Sequence, residues 1–203
     1  SGSPGAAAQE PWQMNLAEIE DAIIAAKTAE KNAEEVVFGV EGAKRYRSAQ
    51  RTANSTMASR ERQHAADAII DEMEAALTPK QEQILFGIGD KLNVDELNNI
   101  KRAMTSLSWE SPEALGDSLK WAITKVDPRV DPSTLQGAAL EAYMTIKHAS
   151  EKAAQLGWDT KVISDVALRG AAARFDPGDV ESMLGAYLKT DVAPSRPPPT
   201  PSP

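Results

Sequence analysis

Four dipeptides in which a helix-capping residue precedes proline constrain the fold of this chain more than any other feature. Serine, threonine and aspartate side chains accept hydrogen bonds from the free amides of a first helical turn. Proline is tolerated at the first helical position because no amide is missed there. The dipeptides are Thr78-Pro79, Ser111-Pro112, Asp131-Pro132 and Asp176-Pro177. Each of them predicts the start of a helix.

Between these starts, apolar residues recur three and four positions apart, which is the spacing of one helix face. Leu97, Ile100, Met104 and Leu107 form one such stripe. No stretch alternates β-branched with polar residues, and no Asn-Gly hairpin signal occurs. The sequence therefore predicts an all-α fold, a compact bundle of about seven to eight helices.

Three of the expected helices have boundaries that the structure can test. Asn15 is expected to cap a first helix that ends at the glycines Gly39 and Gly42. Residues 43–77 contain neither glycine nor proline, so one long helix and two helices joined near Asn54 are both allowed. Asp131-Pro132 is expected to open a long helix directly.

The two ends of the chain differ in composition from its middle. Residues 1–11 mix Gly, Ser, Pro and Ala without periodicity, which predicts a flexible N-terminal arm, and residues 12–190 are expected to form one helical domain. Residues 191–203 are rich in proline, which predicts an extended polyproline II tail. Two PxxP frames, Pro194–Pro197 and Pro198–Pro201, make this tail a candidate ligand for the groove of a protein partner. The alternative is a solubilising spacer.

The amino-acid composition indicates how the core is packed. Hydrophobic residues make up 41% of the chain, but aromatic residues make up only 5%, and much of the hydrophobic content is alanine. We therefore expect helices in close contact through small residues, with Trp121 in the core. No apolar run approaches the roughly 20 residues that cross a bilayer. The chain is thus expected to be soluble, intracellular or in a virion, with its compartment otherwise open.

Positive charge is concentrated in a basic segment, residues 44–62, of a chain whose net charge is −8. The segment holds six basic residues and one acidic residue. Lys44, Arg47 and Arg51 fall on one helical face, and Arg45 lies on its flank. The planar guanidinium group suits bidentate contact with phosphate or carboxylate. Lys44, Arg45, Arg47 and Arg51 are therefore the candidate site for nucleic-acid phosphate or an acidic partner.

The first predicted helix offers a competing explanation for these cations. It is acidic, with carboxylates at Glu18, Glu20, Asp21, Glu30, Glu34 and Glu35. An antiparallel neighbour carrying arginines would pair with these charges, either within one chain or between subunits. This internal pairing is the favoured interpretation, ahead of phosphate binding and of a free solvated face.

Residues that could carry metal or catalytic chemistry are sparse. The absence of cysteine excludes disulfides, thiol catalysis and cysteine-ligated zinc. The two histidines, His64 and His148, are remote in sequence, and residues 90–95 lack the order of an EF-hand loop. No glycine-rich phosphate loop or nucleophile elbow occurs. The sequence predicts no metal, no cofactor and no catalytic residue.

These features together favour a non-enzymatic structural or assembly subunit of the coat, capsid or scaffold kind. We expect it to form a homo-oligomer through helical faces and arms, with the basic segment as a candidate contact for nucleic acid. The alternative is a helical accessory subunit of a larger protein complex, without nucleic acid.

Overall fold

The computed structural model describes residues 9–87, 93–127 and 129–169. Within these ranges the chain forms helices and no strand, which confirms the all-α, multi-helix prediction. A short 3-10 helix, Pro11–Gln13, precedes seven α-helices: α1 (Leu16–Ala53), α2 (Arg60–Ala75), α3 (Pro79–Phe86), α4 (Val94–Thr105), α5 (Pro112–Ile123), α6 (Gly137–Gln155) and α7 (Thr160–Leu168). Most of the predicted N-terminal arm, the helix expected at Asp176-Pro177 and the proline-rich tail lie outside the described residues.

The helix starts follow the capping rules. Asn15 and Glu18 cap each other reciprocally at the start of α1, with the Glu18 amide 2.9 Å from Asn15 Oδ1. The Thr78 hydroxyl accepts from the Gln81 amide, and the Gln81 side chain accepts from the Thr78 amide. These contacts satisfy amides that would otherwise lack a partner in the first turn.

Asp131-Pro132 departs from the prediction. It opens only a 3-10 helix, Pro132–Thr134, and α6 begins later, at Gly137. The backbone is extended at Leu135 and Gln136 between them. Gly137 has φ of 58°, a left-handed conformation that glycine adopts without steric cost. The expectation that a long helix starts directly at Asp131-Pro132 is therefore wrong.

The described chain divides into two compact units, with one boundary inside α1. One unit contains residues 22–94, and the other contains residues 9–21 together with the described residues from 95 to 169. The single domain expected over residues 12–190 stays a prediction. None of the described helices combines the length and apolarity needed to span a bilayer.

The unit that contains α4 to α7 has a buried hydrophobic cluster built by α5, α6 and α7. Many of the contact residues are small, as the alanine-rich composition predicts: Ala122, Ala142, Ala149, Ala153 and Ala167. At Gly116, a β-carbon would lie 2.7 Å from Val166 Cβ, so α5 approaches α7 too closely for any larger residue. Trp121, expected in the core, is instead 37% exposed, because it lies on the side of α5 opposite Leu119 and away from the buried face.

The unit of residues 22–94 is built differently. Its buried hydrophobic residues among those described are Ile23, Ala43, Tyr46, Ala49 and Ala66, of which three are alanines. Five large hydrophobic side chains of this unit are exposed: Ile24, Val36, Val40, Met57 and Phe86. The unit thus buries small side chains and leaves several large ones in contact with solvent.

Candidate binding groove

Helix α1 reverses direction within its length, which places its two halves side by side. Its first half (residues 16–38) and second half (residues 40–53) meet at Gly39, where the backbone is not helical. Arg47 Nη1 donates a hydrogen bond to Glu34 Oε2 at 3.1 Å. In a straight helix, these residues would lie about 20 Å apart along the axis, at 1.5 Å per residue. The bend therefore brings the basic segment back onto the acidic first half.

Two glycines make this bend possible. Gly39 has φ of 75° and ψ of 170°, a conformation that residues with a β-carbon rarely adopt. A β-carbon at Gly42 would lie 2.8 Å from Phe38 Cβ, closer than two carbons normally approach. The Phe38 ring packs on the Tyr46 ring with centroids 4.8 Å apart. The sequence around residues 38–42 therefore fixes the reversal.

Arg47 is the least exposed of the four candidate site residues. Its side chain is 29% exposed, and that of its partner Glu34 is 11% exposed. The carboxylate is nearly removed from water, and the guanidinium group beside it compensates its negative charge. Arg47 thus pairs within the chain.

Tyr46, next to Arg47, joins α1 to α2. Its hydroxyl donates to Glu74 Oε1 on α2 at 2.7 Å, and its side chain is buried. Burial, and then the hydrogen bond to the Glu74 carboxylate, raise the pKa of Tyr46 above its ordinary value, since both favour the neutral phenol. The contact holds the second half of α1 between Phe38 and α2.

An open groove of about 470 Å³ lies between the two halves of α1. Its lining carries charges of both signs and two amides: Glu30, Glu34, Arg47, Gln50, Arg51 and Asn54. A polyanion entering this groove would meet two carboxylates as well as two guanidinium groups. The groove is therefore suited to a surface that itself carries both signs of charge.

The other candidate cations are exposed. Lys44 forms an ion pair with Glu41 one turn earlier, at 3.3 Å. Arg45 and Arg51 have no ion pair within the part of the chain that the structure describes. Arg51 lines the groove beside Arg47, whereas Lys44 and Arg45 are not among the lining residues, so the four predicted site residues do not share one environment.

Helical periodicity places Tyr46 and Gln50 beside the basic residues, and Gln50 does line the groove. The sequence did not identify Asn54 as a lining residue, or Glu74 as the partner of the Tyr46 phenol, since neither carries a motif. The available signal was Gly39 and Gly42 between an acidic and a basic stretch, which is what a helical hairpin with paired charges requires. Helix α1 ends at Ala53, and Ser59 caps α2, so residues 43–77 form two helices rather than one.

A second cluster of side chains lies in the other unit. The Trp109 ring is 5.8 Å from the Trp158 ring and 6.1 Å from the His148 ring, and Lys152 Nζ lies 4.2 Å over Trp109. Burial, with a smaller effect of the Lys152 charge, lowers the pKa of His148, because both disfavour the imidazolium form. Both tryptophans pack against the hydrophobic cluster, so this group closes the edge of the core.

No group of three potential metal-ligating side chains occurs among the residues that the structure describes. Comparisons with protein-family models, with curated proteins and with solved structures find no match to this chain. The inference of function therefore depends on the chain's own chemistry.

Proposed function

We propose that this chain is a non-enzymatic structural or assembly subunit, of the coat, capsid or scaffold kind, that self-associates through helical faces. The observation that carries the proposal is the composition of the unit of residues 22–94. Its buried hydrophobic residues are mostly alanine, while large side chains such as Val36, Val40 and Phe86 are exposed.

The hydrophobic effect explains why exposed large side chains favour association. Burial of one valine, isoleucine or phenylalanine side chain contributes about 1.5–3 kcal/mol relative to exposure. A unit whose largest apolar groups remain in water gains that free energy only when another surface covers them. Single exposed apolar residues such as Met57 in the loop after α1 are common, but four on the helices of one small unit that buries mainly alanine, Ile24, Val36, Val40 and Phe86, favour a role in association.

A second candidate role, contact with nucleic-acid phosphate, has its own support. Arg45 and Arg51 are exposed and have no ion pair among the described residues, and Lys44 lies beside them. Arginine readily binds phosphate oxygens. The ion pair of Arg47 with Glu34 makes Arg47 unavailable for such contact, and the carboxylates of the groove lie near Arg51, so Lys44 and Arg45 are the cations best placed for it.

The alternative function is a helical accessory subunit that binds a different protein through the same exposed residues. The two functions differ in the mass expected for the isolated chain in solution. An accessory subunit on its own remains a monomer, whereas an assembly subunit forms defined oligomers. The proline-rich tail, residues 191–203, would supply a further contact for such a protein partner.

Light scattering coupled to size-exclusion chromatography tests the proposal, with absorbance at 260 and 280 nm recorded on the same peak. We expect a mass that is a multiple of 21.8 kDa. A monomer at every concentration up to the solubility limit would overturn the assembly proposal and favour the accessory subunit.

The phosphate contact needs a separate measurement, the retention of the chain on single-stranded RNA as a function of salt. Arg45→Gln combined with Arg51→Gln should reduce retention and flatten its salt dependence, since fewer counterions are released. The matched control is Arg60→Gln combined with Arg62→Gln, which removes the same charge from α2. Equal loss in both double variants would indicate a general charge effect and would remove the case for a site on α1.

A further inference from the structure

The bend of α1 presents two exposed aliphatic side chains that the fold of one copy does not use. Val36 and Val40, here called the valine patch, flank Gly39 and are 70% and 54% exposed. They are four positions apart in the sequence, so their Cα atoms lie at most about 14 Å apart. β-Branched residues are poorer helix formers than the lysine or glutamate expected at exposed helical positions. The patch therefore carries a local cost without an internal contact that offsets it.

The bend itself fixes where the patch lies. The left-handed conformation of Gly39 and the close approach of Gly42 to Phe38 leave one way for the two halves of α1 to meet. The packing of Phe38 on Tyr46 and the ion pair of Arg47 with Glu34 hold the halves together. The valine patch is consequently presented on a preorganised turn, which lowers the entropic cost of binding a partner.

The charges beside the patch are separated by sign and complement each other. Within the unit of residues 22–94, the first half of α1 (residues 22–38) carries three acidic and two basic residues, whereas the second half carries four basic residues and one acidic residue. Residues 22–94 as a whole carry ten basic and eleven acidic residues, so the unit is almost neutral although the chain has a net charge of −8. A surface with these properties can bind a copy of itself, because the acidic half of one copy can face the basic half of the other.

We infer that the bend of α1 is a contact surface between two copies of this chain, in which the valine patch of each copy packs against that of the other. The contact is isologous: the same surface is used on both copies, related by a twofold axis. Arg45 and Arg51 of one copy face the acidic first half of α1 in the second copy. This inference depends on the proposed self-association and identifies the surface that performs it.

Sedimentation velocity on the full chain, over a range of concentrations, measures the dissociation constant for this contact. Val36→Lys and Val40→Lys should each weaken association at least about tenfold, because two lysines per dimer would oppose each other near the axis. Met57→Lys is the matched control: Met57 is 93% exposed and lies outside the valine patch, in the loop between α1 and α2. It should leave the dissociation constant within about twofold of the unaltered chain, which is under 0.5 kcal/mol.

Cysteine cross-linking provides a second measurement that does not depend on affinity. The chain has no cysteine, so Val40→Cys and Val36→Cys introduce single thiols. A disulfide requires Cα atoms within about 7 Å of each other. Mild oxidation should give a covalent dimer from at least one of these variants, and Met57→Cys should stay predominantly monomeric. Circular dichroism of each variant shows whether its helices are retained.

The possible outcomes separate the two proposals. Association that is unchanged by both lysine variants, without cross-linking at the patch, would overturn the valine-patch contact and leave self-association standing. Equal weakening by Met57→Lys would also overturn it, since the effect would then be one of added charge alone. If the unaltered chain does not associate at any concentration, both proposals fail. Val40→Thr, which keeps the shape of valine, gives an independent test if the lysine variants do not fold, and it should also weaken association.

Discussion

Replacing Arg47 with alanine tests whether this central cation of the basic segment is held in an ion pair with Glu34. The variant removes the guanidinium group that lies 3.1 Å from Glu34 and leaves a carboxylate that is only 11% exposed. Loss of a hydrogen bond between charged groups costs about 1.5–3 kcal/mol. Since Arg47 itself is 29% exposed, water screens part of the interaction. We therefore expect Arg47→Ala to lower the free energy of unfolding by about 2 kcal/mol.

A double-mutant cycle with Glu34→Ala isolates the pair. Glu34→Ala should cost less, about 1 kcal/mol, because the more exposed Arg47 can turn toward water. The double variant should then show a coupling energy of about 1–2 kcal/mol. Urea unfolding followed by circular dichroism at 222 nm measures all four free energies. Tryptophan fluorescence reports unfolding of the other unit, since all four tryptophans lie outside residues 22–94.

Arg45→Ala is the matched control for this cycle. Arg45 is on the same helix and exposed, and it has no ion pair among the described residues, so its removal should change stability by less than about 0.5 kcal/mol. A coupling energy near zero, or an Arg47→Ala effect as small as that of Arg45→Ala, would refute the argument that Arg47 is held by Glu34. Arg47 would then be available to an external anion.

Three further substitutions test the fold around these contacts. Gly39→Ala should cost about 1–2 kcal/mol of unfolding free energy through backbone strain alone, because no atom lies within 4 Å of the added methyl group. Gly116→Ala should cost about 1–3 kcal/mol through a clash with Val166. Tyr46→Phe should cost about 1.5 kcal/mol near pH 8 by removing the hydrogen bond to Glu74, and less at pH 10.5. As pH rises above 10, the unfolded chain loses the phenol proton before the folded chain does, so the contribution of Tyr46 to stability falls.

Urea unfolding measures each of these changes, and each has a contradicting result. Gly39→Ala that is as stable as the unaltered chain would contradict the strain argument, because φ of 75° with ψ of 170° is a combination that essentially only glycine populates. A neutral Gly116→Ala would contradict the close approach of α5 to α7. A Tyr46→Phe effect that does not diminish between pH 8 and pH 10.5 would contradict the raised pKa of Tyr46.

The helices could be predicted from the sequence because their start signals are local. Thr78, Ser111 and Asn15 cap helices as their side-chain chemistry requires. The apolar stripe that ends at Leu107 is buried as its spacing predicts. The expected long helix at Asp131-Pro132 was wrong because the backbone becomes extended at Leu135 and Gln136, and α6 starts afresh at Gly137. The start signal at Asp131-Pro132 is local and does not show how far the helix runs.

The candidate site was only partly predictable because its geometry depends on a reversal. Helical periodicity placed Lys44, Arg47 and Arg51 on one face, and it could not show that Gly39 turns that face onto Glu34. The acidic first half of α1 indicated a partner for the arginines but not which arginine would have it. Trp121 is a different case: α5 buries the face that carries Leu115 and Leu119, and Trp121 is offset from that face, so its exposure agrees with the helical periodicity.

Self-association is the central claim, and the mass of the native chain in solution tests it most directly. Multi-angle light scattering across a concentration series should show a rise from 21.8 kDa to a multiple of that mass, with the rise reduced in Val40→Lys but not in Met57→Lys. A mass that stays at 21.8 kDa up to the highest attainable concentration would contradict the account.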